Sequence, residues 1–373
     1  MKIPLVDLKA QYNLLKPQID AAIAAVITDT AFIGNMSNAY VQRFEAEYAR
    51  YTGVKHAIAC ANGTDAIEVL LKAAGIGHGD EVLVPAISWI ATSEAVSNVG
   101  AKPVFVDIEP DCYAIDVDQA ASKVTSRTRA IIPVHLYGQM ADMDAIMVLA
   151  EKHGLFVLED CAQAHAARYK GRLAGTIGHA GSFSFFPGKN LGAYGDAGGM
   201  VTNDDRLAEM ARMICQHGQS KAKHDHQIEG RNSRLDGIQA AILSVKLPYL
   251  DQWTVARREL ARHYRDLLQG SGIQFQAERP GCEHVYHLLV LQLPQRDAVS
   301  RKLADGGIAT TMQYPRALPL LTAYAARGHL QTEFPHAVSL AARCLSLPLY
   351  PELTREQVGH VARTLQAALT QSN

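Results

Sequence analysis

The sequence predicts an α/β protein: a large unit built on a seven-stranded, mainly parallel sheet, followed by a smaller C-terminal α/β unit. Three observations predict it. Between residues 56 and 202, short apolar β-prone runs alternate with longer segments of helical period, the pattern of a parallel sheet covered by helices. Beyond about residue 236 the pattern changes to two long amphipathic stretches and a shorter αβ run. The chain has 373 residues, and at roughly 150 residues per domain that length suits a large domain with a companion. We expect an N-terminal arm and the large domain in 1–250 and the small domain in 251–373.

The expected strands, in order, are His56–Cys60, Glu81–Pro85, Lys102–Val106, Ala130–Val134, Phe156–Glu159, Gly181–Phe185 and Gly198–Thr202. Between them Ala66–Ala74, Ser93–Val99 and Met143–Gly154 carry apolar residues at three- and four-residue spacing and read as covering helices. Leu235–Leu250 and Thr254–Leu268 read as long amphipathic helices, with Arg257, Arg258, Arg262 and Arg265 expected on a solvated face. Then come a strand at Tyr286–Leu293, a helix at Ala298–Asp305, a strand at Ala309–Tyr314 and a closing helix at Glu352–Ala368. No Pro/Gly linker separates the two parts, so they should share a broad interface.

Composition narrows the function. Hydrophobic residues make up 48% and charged residues 20%, which excludes disorder and fibrous repeats. Thirty-six Lys+Arg against thirty-seven Asp+Glu leave a net charge of -1, so nothing calls for nucleic acid as a partner. No apolar run approaches the ~20 residues that cross a bilayer, and Asp7 and Lys9 interrupt the start where a signal peptide needs its apolar stretch. The expected location is the cytoplasm, away from membranes. Six cysteines without a C-x-x-C pair fit neither a disulfide framework nor a zinc site, so reduced thiols and no metal are expected.

Three segments point to chemistry. In Ser182–Gly192 an aromatic, serine-rich strand runs into a Pro-Gly turn and presents Lys189 ahead of Gly192, Gly195, Gly198 and Gly199. An amine in apolar surroundings has a lowered pKa and, once neutral, attacks a carbonyl to form a Schiff base; a strand-end lysine can also snorkel to water. Phe156–Asp160 is an apolar strand ending in carboxylates, at the edge where open α/β sheets bind ligands. There Asp160 can pair with the protonated ring nitrogen of pyridoxal phosphate, or serve only as a helix cap. Asn62-Gly63-Thr64 is a strand-to-helix turn whose glycine lets backbone N–H groups approach a phosphate, with the Thr64 hydroxyl as a further donor. The same turn also opens many helices that bind nothing. Ser184 is another candidate phosphate donor. Trp89, in Pro85-Ala86-Ile87-Ser88-Trp89, can stack on a planar cofactor or pack in the core.

The motifs N-G-T-D-A, P-A-x-S-W-x-A-T, P-V-H-L-Y-G-Q, E-D-C-A-Q-A-H, S-F-F-P-x-K-N-L-G-x-Y-G-D-x-G-G and G-x-N-S-R-L-D-x-I-Q-A-A follow one another in order. In them the chain strongly resembles the DegT/StrS family of nucleotide-sugar aminotransferases, which have the aspartate-aminotransferase fold, fold type I of the pyridoxal-phosphate enzymes. The resemblance runs from Val6-Asp7-Leu8-Lys9 to Leu345-Ser346-Leu347-Pro348. It implies Lys189 as the Schiff-base lysine, Asp160 as the acid at the ring nitrogen, Gln163 as the partner of the ring hydroxyl and Trp89 as the stacking aromatic. It implies phosphate contacts from Gly63, Thr64 and Ser184, and from Asn232 of a neighbouring subunit, hence a homodimer with shared sites. L-glutamate is the implied donor, leaving 2-oxoglutarate and pyridoxamine phosphate, and a nucleotide-linked keto sugar the acceptor.

The resemblance also bounds the alternatives. Family dehydratases carry histidine where this chain has Lys189, which speaks against that branch. The Gln216-to-Leu235 stretch resembles members acting at C3 of a UDP- or dTDP-linked 3-keto sugar, some of them uronic acids, in surface polysaccharide or lipopolysaccharide biosynthesis. C4 amination and a cofactor-binding regulatory protein without turnover stay open. His217, the basic stretch Lys221–His226 and Arg231 can meet a diphosphate or sugar carboxylate, or form an exposed polar loop. Tyr314 opens the loop that commonly borders the sugar, but here Tyr314-Pro315-Arg316-Ala317-Leu318-Pro319 lacks the family's second proline and histidine in register.

Overall fold

A computed structural model describes residues 1–34, 37–220 and 225–370. Its main sheet has seven strands in the order His56–Cys60, Gly198–Thr202, Ala180–Ser184, Phe156–Asp160, Thr128–Ile131, Glu81–Pro85 and Lys102–Val106. All neighbours are parallel except those of Gly198–Thr202, which runs antiparallel to both of its partners. All seven expected strands are present. The fourth ends at Ile131 instead of Val134 because Pro133 offers no N–H to the ladder.

Side chains alternate between the two faces, as a two-residue repeat requires. Ile58, Val82 and Val84 enter one core, beside Leu70 and Leu71 of the helix Gly63–Ala73. Ala57, Leu83 and Val157 enter the other, beside Phe44 and Tyr48 of Ala39–Thr52 and Leu149 of Met143–His153. The second large helix of the C-terminal half begins at Leu250 and runs to Leu267, next to the antiparallel sheet Gln274–Phe275, Leu289–Gln292, Cys344–Leu347. Its core joins Leu260, Leu289, Leu291, Leu303, Leu345 and Leu365, and it also takes in Ile3 from the start of the chain. No helix among the described residues is long and apolar enough to cross a membrane.

Three expectations need correction. Arg257 is not on a solvated face: it is 5% exposed and donates to the carbonyls of Tyr286 (3.2 Å) and Leu349 (2.7 Å). Helical spacing explains this, because position 257 falls on the same stripe as the buried Leu250, Trp253, Leu260, Ala261 and Tyr264. Arg262 is exposed, while Arg258 reaches Glu283 and Arg265 the Gln276 carbonyl. Ala309–Tyr314 is not a strand; only Thr311 bridges to Ser346, after which the chain turns away toward Pro315 and the cavity described below. The strand expected from Tyr286 begins at Leu289, because Tyr286 sits at a positive φ of 47° and gives its N–H to His284 Nδ1 instead of to a ladder.

Candidate active site

A cavity of about 890 Å³ opens at the C-terminal edge of the central strands. It is lined by Gly63, Thr64, Trp89, Asp160, Gln163, Ser184, Lys189, Arg231 and Tyr314, so nine of the expected residues meet in one place. His217 and Asn232 do not line it. His217 adopts a left-handed backbone (φ 60°) and its N–H bonds the Arg231 carbonyl, while Asn232 is exposed and bridged to Gln216. Of the basic stretch, Lys221–His224 lie outside the described residues.

Lys189 is delivered by a closed loop. Phe185 N–H bonds the Ala197 carbonyl, Ala193 N–H returns to the Phe185 carbonyl, and Lys189 N–H closes a turn on Phe186. Gly192 is required inside it, since a Cβ there would lie 2.4 Å from the Pro187 carbonyl oxygen. Burial lowers the Lys189 amine to about 8, although the Asp160 carboxylate pulls the other way. His165, beneath the loop, donates its Nε2–H to the Ser184 carbonyl (2.8 Å) and accepts the Tyr48 hydroxyl at Nδ1 (3.2 Å). Burial brings it down to about 4, so it is neutral.

Asp160 ends its strand 5% exposed. Oδ1 accepts the Ala162 N–H at 3.1 Å and Oδ2 the Thr92 hydroxyl at 2.8 Å. Burial raises its pKa, against those two donors and the nearby Lys189 and His135. Gln163 accepts the Tyr137 N–H at 2.7 Å and donates to Tyr314 Oη at 3.1 Å, which leaves one amide hydrogen without an acceptor among the described residues. Trp89 is 60% exposed, an unusual state for the largest apolar side chain, and its ring lies 5.7 Å from that of Tyr314.

The turn before Gly63–Ala73 fits a phosphate. Asn62 caps the helix by accepting the Asp65 N–H, and the Asn62 carbonyl takes that of Ala66. The N–H groups of Gly63 and Thr64 therefore keep no acceptor among the described residues and point where a helix N-terminus attracts anions. A Cβ at Gly63 would come 2.8 Å from Ser184 Cβ, so glycine keeps the cradle open between turn and strand. Gly63→Ala is expected to raise the dissociation constant for pyridoxal phosphate about tenfold, the equivalent of ~1.4 kcal/mol, in a titration of apo-protein. Unchanged affinity would mean that the phosphate lies elsewhere.

Two further features limit the chemistry. Arg231 is held by Asp65 (2.9 Å) and Glu68, so its charge is already compensated at the cavity wall. His135, Glu159 and Cys161 lie close enough to suggest a metal, yet Glu159 already accepts the N–H groups of Gly175, Ile177 and Gly178 and His135 Nε2. His135 Nδ1 takes the Ala141 N–H. The cluster is a satisfied network behind the sheet edge. Sequence reading assigned no role to Ser88 or Thr92, although both stand in a quoted motif and line the cavity. A hydroxyl residue beside a strand end has no spacing that marks it.

The chain matches the DegT/DnrJ/EryC1/StrS aminotransferase family over residues 16–366. It is 45% identical over 368 residues to the UDP-N-acetyl-3-dehydro-alpha-D-glucosamine 3-aminotransferase of Acidithiobacillus ferrooxidans, covering 98% of each chain. It is 47% identical over 368 residues to a pleiotropic regulatory protein of Geobacillus stearothermophilus, again with 98% of each covered. Among solved structures it superposes on S. venezuelae DesV in complex with a ketimine intermediate with a TM-score of 0.95, at 42% identity and covering 99% of this chain and 98% of that one. Bacillus subtilis ntda with bound cofactor PMP gives 0.91, at 31% identity and covering 99% and 86%. By sequence and by architecture, this chain belongs to the DegT/DnrJ/EryC1/StrS aminotransferase family.

Proposed function

We propose that the protein uses pyridoxal phosphate to move an amino group from L-glutamate to C3 of a UDP- or dTDP-linked 3-keto sugar. The carrying observation is that a lysine amine lowered to about 8, a buried strand-end carboxylate and an open N–H cradle line the same cavity. The names of the A. ferrooxidans relative and of its counterparts acting on dTDP-3-amino sugars support C3 over C4.

When bound, the cofactor supplies an electron sink for charge left on the substrate carbon. The neutral Lys189 amine would be the nucleophile that holds the cofactor, and the same amine would be the base that moves a proton at the substrate carbon. Asp160 keeps the ring nitrogen protonated. Gln163 would offer its remaining amide hydrogen to the ring hydroxyl, Trp89 would cover the ring face, and Gly63, Thr64 and Ser184 would hold the phosphate. Asn232, exposed and not among the residues lining this cavity, is the residue assigned to the phosphate of a partner subunit in a homodimer. Tyr314 borders the sugar. Arg231, already paired, stiffens the cavity mouth, and His217 shapes the loop beyond it. The product is an amino sugar for surface polysaccharide or lipopolysaccharide, made in the cytoplasm.

The G. stearothermophilus relative's name supports a second reading, a regulator that binds the cofactor without turnover. Incubating the holoenzyme with glutamate and a panel of 3-keto and 4-keto UDP- and dTDP-sugars separates the readings. Expected are 2-oxoglutarate and a product amine that NMR locates at C3. Amine at C4 refutes the regiochemistry; a cofactor spectrum unmoved by glutamate and every sugar supports the regulator.

A further inference from the structure

We propose that Thr92, backed by Ser88, is the positioning residue that aims and charges the Asp160 carboxylate. The inference rests on the reading of Asp160 as partner of the cofactor ring nitrogen and adds the device that holds it.

The geometry is a short directional chain. Ser88 Oγ lies 2.9 Å from Thr92 Oγ1, and Thr92 Oγ1 lies 2.8 Å from Asp160 Oδ2. All three side chains are buried, at 4%, 1% and 5% exposure. An ionised carboxylate only accepts, so Thr92 must donate its single proton to Asp160. Its lone pairs are then free for the Ser88 hydroxyl, which fixes the order Ser88 to Thr92 to Asp160. Charge-assisted bonds of this kind are stronger than neutral ones, and each link polarises the next.

The local sequence explains how the chain forms. The strand Glu81–Pro85 ends into Ser88-Trp89-Ile90, and Thr92 lies in the first turn of the helix Ala91–Asn98. Thr92 N–H closes that turn on the Trp89 carbonyl at 3.2 Å. One tight turn thus does two things: it leaves the Trp89 ring exposed on the cavity side, and it sends the Thr92 hydroxyl to Asp160 and the Ser88 hydroxyl to Thr92. Ala162 N–H takes the other oxygen, so the carboxylate cannot rotate without losing a bond on each side. The carboxylate so held lines the cavity.

Thr92 also works against the environment. Burial favours the neutral form of Asp160, and the charged or titratable groups facing it are Lys189, His135, Tyr314 and Cys161. A neutral acid there would no longer hold a protonated ring nitrogen. The hydroxyl donor is one of the few features that favour the anion.

The test uses Thr92→Val, which keeps the shape and removes the donor, with Thr92→Ser and Ser88→Ala beside it. Apo-protein is titrated with pyridoxal phosphate by absorbance, and kcat and KM are measured on the loaded enzyme. Thr92→Val should raise the cofactor dissociation constant and lower kcat, each about tenfold, while KM for the sugar stays within about twofold. Thr92→Ser should restore both, and Ser88→Ala should shift both by only a few fold. If Thr92→Ser is as impaired as Thr92→Val, the residue acts by packing and the proposal is wrong. If Thr92→Val equals wild type while Asp160→Asn does not, the positioning role fails and the Asp160 reading stands. If neither variant alters cofactor binding or its spectrum, the Asp160 reading itself fails.

Discussion

Lys189→Ala is expected to abolish turnover, lowering kcat by about 10⁴-fold or more, because in the proposed function one amine supplies both the attachment to the cofactor and the proton shuttle. Lys189→Arg is equally inactive: it keeps the charge and most of the volume but stays protonated and cannot attack. The absorbance band of cofactor bound to lysine should vanish in both, whereas the cradle proposed at Gly63 and Thr64 should still hold the phosphate and keep cofactor bound noncovalently. Reconstitution of the apo-protein reads the amine directly. With its pKa at about 8, roughly a tenth of the molecules are neutral at pH 7 and roughly nine tenths at pH 9, so the rate of covalent attachment should climb through that interval. The same shift affects stability. The folded amine binds its proton more weakly than the unfolded one, so wild type gains stability relative to Lys189→Ala as pH rises from about 8 toward 10.5. A rate of attachment that is flat between pH 7 and 9, or activity surviving in Lys189→Ala, rules out this residue as the nucleophile.

The central sheet was legible because buried strands write their period plainly: Glu81–Pro85 and Lys102–Val106 fell at the very residues where the ladders run. The turn at Asn62-Gly63-Thr64 and the lysine loop were legible for another reason, since glycine next to asparagine or lysine is a departure from what a core needs. What stayed hidden was decided by tertiary packing. The helix Leu8–Thr28 carries Pro17 and only three buried residues, too weak a stripe to read as a packed helix. Arg257 was assigned by residue type to solvent, yet its stem continues an apolar stripe and its guanidinium finds two carbonyls. Lys246 is fully buried on a helix read as amphipathic, with Nζ bound to the Gly192 carbonyl at 2.7 Å behind the lysine loop and its pKa brought down to about 7 by burial. Neither contact has a sequence period. In the site, what could be read is the set of residues proposed to touch the cofactor or border the sugar, nine of which line one cavity; the hydroxyls and amides that hold those groups in place emerge only when the chain is folded.

Asp160→Asn is expected to cut kcat by about 10³-fold while making the apo-protein more stable at neutral pH. The two effects share one cause. Asparagine has the same shape, and its amide oxygen can keep the Ala162 N–H while its NH₂ faces Thr92, whose hydroxyl then accepts and turns its own proton to Ser88. Packing is preserved, but the charge that keeps a ring nitrogen protonated is gone, and removal of a preorganised charge of this kind typically costs 10²–10³-fold. On the stability side, burial raises the folded pKa of Asp160 above its ordinary value of 3.8, so folding favours the protonated acid and the ionised form at pH 7 is a burden on the fold. The amide removes that burden. Thermal melts of apo wild type and apo Asp160→Asn should therefore differ in favour of the variant at pH 7, and the gap should narrow as pH falls and the wild-type carboxyl takes up its proton. A variant that melts lower at pH 7 while binding cofactor as tightly as wild type would mean that the carboxylate is structural, held by Thr92 and Ala162 for the sake of the fold. The opposite result, stability gained and turnover lost, identifies Asp160 as a charge that folding tolerates because the reaction needs it.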